Sequence, residues 1–224
     1  MNTILLFILI GFAISSTELE DLIIIGDSRI EEMANIVFGL GYTQFTCNYY
    51  NYYGIMTKEP ITYNDFQIHI TALSDLFPLI KSNNNEAYNN VHSQLKKVKP
   101  GTNVLLSLGV NCLKDFNPIV VFIGKLADKY PHLNFYAVSL VGVNEGLCNI
   151  LNADIRDFNT KMENRIKIVE FTNLKYKSIL FNENPCQIMV DGKVVDILNY
   201  ASEGTGFFKN GYVKLFRALV EDLY

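Results

Sequence analysis

The stretch Leu22-Ile23-Ile24-Ile25-Gly26-Asp27-Ser28-Arg29 constrains the fold of this chain more than any other. Four consecutive apolar residues, mostly β-branched, leave no face for water. A strand of that kind is covered on both sides, as in a parallel sheet sandwiched between helices. It stops at Gly-Asp-Ser, a tight turn into a helix. Ser28 is thereby set at the C-terminal end of the strand and beside the positive end of the next helix. Ligands of open α/β sheets bind at that edge, and a helix N-terminus favours negative charge. A serine there is placed to act as a nucleophile. Taken alone, the tripeptide reads more readily as a strand–helix turn with Ser28 as its N-cap.

The remaining chain alternates in the same way. Strands are expected at Leu22–Ile25, Tyr42–Asn48, Val104–Leu108, Asn134–Val141 and Ile168–Phe171. Helices are expected at Arg29–Gly39, Asn89–Val98, Ile119–Tyr130, Leu151–Arg165 and Tyr212–Tyr224. Ile30, Met33, Ala34 and Val37 give the first helix one apolar face, and Gly39 and Gly41 end it. This order predicts an α/β fold, a three-layer α/β/α sandwich around a parallel sheet. Asp191-Gly192 between Ile188-Met189-Val190 and Val194-Val195 reads as a small hairpin. A long mixed connection joins the aromatic run Tyr49–Tyr53 to the second helix.

Of 224 residues, 49% are hydrophobic, enough for one sizeable core and no second domain. Net charge is -4, and no basic run is interleaved with aromatics, which argues against nucleic acid as a partner. Ile4–Ile14 is an unbroken apolar stretch followed by Ser15, Ser16 and Thr17. It is too short to span a bilayer but has the length of a signal-peptide core. Residues 1–16 are therefore expected to be a signal peptide and residues 17–224 the domain. That makes the protein secreted or lumenal, with no membrane span after cleavage.

In an oxidising compartment Cys47, Cys112, Cys148 and Cys186 allow two disulfides in three connectivities. Cys112 and Cys148 each follow an expected strand at one edge and are the favoured pair; four buried thiols are the alternative. Their spacing fits no metal site. No Walker-type loop and no Gly-x-Gly-x-x-Gly follow the first strand, so no nucleotide cofactor is expected.

A serine nucleophile needs oxyanion donors and a base. Gly109-Val110-Asn111 ends the third expected strand on Ser28's edge, and the Asn111 amide suits an oxyanion. The alternative is an Asn that ties down its own loop. Gly54, after the second expected strand, can offer a backbone N–H or be a simple turn. Tyr49, Tyr50, Tyr52 and Tyr53 either line a carbohydrate or acyl pocket or pack as a loop.

These blocks together resemble the SGNH, or GDSL-type, hydrolases. Gly26-Asp27-Ser28-Arg29, Gly54 and Leu108-Gly109-Val110-Asn111 look like that family's first three blocks. Asn134–Val141 and Ile155-Arg156-Asp157-Phe158-Asn159 look like its fourth strand and following helix. The resemblance implies a flavodoxin-like parallel sheet and a serine acyl-ester hydrolase acting on a small carbohydrate or lipid ester, without a metal or other cofactor. It implies Ser28 as nucleophile, with the Ser28 N–H, the Gly54 N–H and the Asn111 side chain as oxyanion hole.

The family's last block, Asp-Gly-x-His, is met here by Glu203-Gly204-Thr205-Gly206. Glu203 stands at the Asp position, and Gly206, which has no catalytic side chain, at the His position. General-base help is worth roughly 10²–10⁴-fold, so this departure leaves two readings open. One is a hydrolase with a substitute base, for which His69 is a weak candidate. The other is an inactive member that serves as a binding module. His92 and His132 precede the third and fourth strands, at the opposite end of the sheet.

Overall fold

A computed structural model describes residues 19–47, 49–74, 76–81, 85–108, 116–138, 145–169, 187–190, 193–196, 216, 217 and 220. The elements run β1 (Glu20–Gly26), α1 (Ser28–Phe38), β2 (Thr43–Cys47), β3 (Tyr50–Met56), β4 (Ile61–Tyr63) and β5 (Phe66–Ala72). They continue with α2 (Leu76–Lys81), α3 (Glu86–Lys97), β6 (Asn103–Ser107), α4 (Asn117–Lys129), β7 (Asn134–Val138), α5 (Glu145–Lys161) and β8 (Ile166–Val169). A separate antiparallel hairpin, β9 (Gln187–Val190) and β10 (Lys193–Asp196), matches the expected one.

The main sheet has the order β2-β3-β5-β1-β6-β7-β8, with β4 also paired to β5. Strands β5, β1, β6, β7 and β8 are mutually parallel. In chain order those five strands read 2-1-3-4-5, the doubly wound order of flavodoxin-like sheets. The expected three-layer α/β/α fold around a parallel sheet is present in these five strands, and the sheet is extended at one side. β2, β3 and β4 are antiparallel additions, so Tyr42–Asn48 supplies an edge strand. The second parallel strand is β5, inside what read as a long connection.

β1 explains the layering. Its Ile23 and Ile25 enter a core with α2, α3, α4 and Ile155 of α5. Its Leu22 and Ile24 enter a second core with Ile30, Met33 and Ala34 of α1 and with Phe216. Successive strand residues face opposite sides, so an all-apolar strand requires helices on both, and both are there. Phe216 has helical backbone and meets Phe38 and Tyr63 edge-on at 5.0 and 5.5 Å.

β5 carries polar residues into one of these layers. Thr71 is fully buried, and Gln94 of α3 satisfies it together with the Thr57 and Ile70 carbonyls, at 2.9 to 3.3 Å. Asn90 also donates to Thr71, at 2.6 Å. These bonds let an alternating polar strand lie in the middle of a sheet.

Candidate functional site

Gly26 closes β1 opposite Ala72 of β5 on one side and Ser107 of β6 on the other. The chain then leaves the sheet. The Leu73 N–H donates to the Gly26 carbonyl at 3.2 Å, and the Asp27 N–H donates to the Ser107 carbonyl at 3.1 Å. The departure needs glycine at residue 26: a Cβ there would lie 2.2 Å from Ile30 Cγ1 and 3.1 Å from the Ser107 oxygen.

Asp27, not Ser28, is the N-cap of α1. Its backbone is extended, and its carboxylate accepts from the Arg29 N–H at 3.2 Å. Ser28 is thus the first helical residue. Its N–H belongs to the opening turn, whose amides have no intrahelical acceptor. Ser28 is half-buried at the C-terminal edge of the parallel sheet. Gly39 ends the helix with φ 68°, the left-handed cap that the sequence predicts.

Two further groups meet at this edge. Glu31, one turn into α1, is buried and accepts a hydrogen bond from the Ser74 hydroxyl at 3.3 Å. Burial pushes its carboxyl from 4.5 up to about 7, and Glu32 and Asp27 add to the rise, while the Ser74 hydrogen bonds oppose it. Arg29 is buried and pairs with Glu32 at 3.2 Å. Neither Glu31 nor Ser74 stood out in the sequence. Glu31 reads there as an ordinary first-turn acid, and Ser74 follows a strand hidden in the connection.

Gly54 is reached by a different route from the expected one. It lies within β3, yet a Cβ on it would come 2.5 Å from Leu73 Cβ and 2.8 Å from the Ala72 oxygen. It therefore backs onto the end of β5, the strand that lies between it and Gly26. The residues that directly follow the second parallel strand are Leu73 and Ser74.

His69 is not brought to the edge. It pairs with Ile23 in the middle of β5, three residues before Ala72, or about 10 Å along the strand. It is buried, and desolvation lowers its pKa. His92 on α3 is buried against the Tyr130 hydroxyl, and burial lowers its pKa to about 4. Gly109, Asn111, Cys112, Glu203, Gly206 and the leader at residues 1–16 lie outside the described residues. So do the side chains of all four cysteines, although the Cys148 backbone lies in the first turn of α5, after β7. Of the tyrosines, Tyr49, Tyr50 and Tyr53 are exposed on the β2–β3 hairpin, while Tyr52 stacks on Phe45 at 5.6 Å.

The fold and edge define an open, doubly wound α/β protein with a serine at the start of its first helix. No protein-family model matches the chain, and no curated protein matches it. It is similar to the solved structure of a proposed platelet activating factor from Streptococcus pneumonia, at 17% identity over 95% of this chain and 87% of that one, with a TM-score of 0.47.

Proposed function

We propose that this protein is a secreted SGNH-type serine hydrolase that cleaves acyl esters of a carbohydrate or lipid. The observation that carries this reading is the position of Ser28. It is the first residue of α1, half-buried, at the C-terminal edge of a sheet with the 2-1-3-4-5 order. In this reading Ser28 Oγ attacks the ester carbonyl and a new C–O bond forms. The oxyanion takes hydrogen bonds from the Ser28 N–H and the Asn111 amide. The alcohol leaves with a proton, and water then releases the acyl group from Ser28. The apolar Ile4–Ile14 leader supports secretion.

A second reading, a non-catalytic binding module built on the same sheet edge, is favoured by Gly206 at the position of the family's histidine. One experiment decides between them. The full chain, produced in an oxidising secretory host, is treated with a fluorophosphonate probe beside a Ser28→Ala control. Labelling that requires Ser28, with turnover of a short activated ester, supports the hydrolase. A folded protein that shows neither is the binding module.

A further inference from the structure

We propose that Glu31, held between the ends of β1 and β5 by Ser74, is the proton acceptor for Ser28 in place of a histidine. This inference rests on the hydrolase reading above. Ser28 and Glu31 are three residues apart on α1 and share a face, with Cβ atoms about 5–6 Å apart. Helical side chains lean toward the N-terminus, so a long carboxylate at residue 31 tilts back over the first turn, toward Ser28. Its other anchor fixes where it ends. Ser74 stands just beyond Leu73, whose N–H is bonded to Gly26, so the Ser74 contact holds the Glu31 carboxyl at the edge where Ser28 leaves the sheet.

The chemistry at this point suits a base. As Ser28 Oγ bonds to the acyl carbon, its proton passes to the Glu31 carboxylate. Glu31 then returns that proton to the departing alkoxide, and the same exchange with water frees the acid. No redox partner or metal is involved. A base is most effective when its pKa lies near the working pH, and burial gives Glu31 a value of about 7. The groups around it are Asp27 and Glu32 on its own helix, with Arg29 engaged by Glu32, and Ser74 after β5. Tyr42, before β2, has its own pKa raised by burial and by Glu31 and Glu32. The described histidines lie elsewhere: His69 in the middle of β5, His92 against Tyr130, and His132 before β7.

The test follows Ser28-specific fluorophosphonate labelling in the full chain from about pH 5 to 9. The wild-type rate rises with pH and levels off above about pH 7, where Glu31 ionises. Glu31→Gln lowers the plateau rate about 10²–10⁴-fold and abolishes that titration. Ser74→Ala removes the hydroxyl hydrogen bond that favours the carboxylate and keeps the backbone one, so the midpoint moves to higher pH; a merely structural Ser74 would leave it in place. Near-ultraviolet circular dichroism checks that both variants are folded, and Ser74→Ala decides the question if Glu31→Gln is not. Labelling of Glu31→Gln at the wild-type rate and pH profile, or an unmoved Ser74→Ala midpoint, overturns the role of Glu31 and leaves the hydrolase intact. Absence of Ser28 labelling in the folded wild type overturns both.

Discussion

Replacing Glu31 by Gln removes an ionisation while keeping shape and hydrogen-bonding capacity, and its effect on stability depends on pH in a direction fixed by burial. In the folded chain the carboxyl titrates at about 7 instead of 4.5. The folded protein therefore keeps a proton that the unfolded chain releases. That contribution to stability is fully present below about pH 4.5 and is lost as pH rises through about 7. The full shift corresponds to about 3 kcal/mol at 1.36 kcal/mol per unit. Solvent at the open sheet edge screens the group, so about 1–2 kcal/mol is expected. Urea unfolding of wild type and Glu31→Gln at about pH 4.5 and about pH 8.5 measures this, because titrations of groups not coupled to Glu31 cancel between the two proteins. The variant should gain about 1–2 kcal/mol on wild type between those conditions. An unchanged difference between the two proteins would refute the reasoning and place Glu31 in water.

Gly54→Ala drives a methyl group into Leu73 Cβ and the Ala72 carbonyl, and should lower stability by about 1–3 kcal/mol in chemical denaturation. An unchanged midpoint would show that β3 and the end of β5 are not in contact. The His92 imidazole should stay neutral until about pH 4 when followed by NMR. Its pKa is depressed on folding, so the stability tied to it is present above its ordinary 6.5 and is lost as pH falls through about 4. A midpoint near 6.5 would mean that the imidazole is solvated.

What the sequence disclosed and what it hid follow from the range of the interactions. β1 and α1 were legible because their signals are local: an apolar run, a Gly-Asp-Ser turn, a periodic face and a glycine stop. β5 was not. Its Gln67, His69 and Thr71 alternate with apolar residues and suggest a solvated face. Thr71 is buried nonetheless, because Gln94, 23 residues later, satisfies it. The β2–β3 hairpin was equally hidden. Its turn places Tyr49 at φ 68°, a conformation that tyrosine rarely announces. Ser28 was found from sequence because a strand end and a helix start coincide there. Glu31 became visible only with the burial and the Ser74 contact that ionisation depends on.

Gly26 has a consequence beyond the space it leaves for Ile30. β1 is apolar on both faces, so sliding it by one residue would exchange Leu22 and Ile24 with Ile23 and Ile25 between the two cores at little hydrophobic cost. Its side chains do not choose an alignment. The glycine does, since a slip would set Ile25 or Asp27 where a side chain presses on the Ser107 carbonyl of the neighbouring strand. The height at which Ser28 rises from the sheet is therefore gauged by an absent side chain.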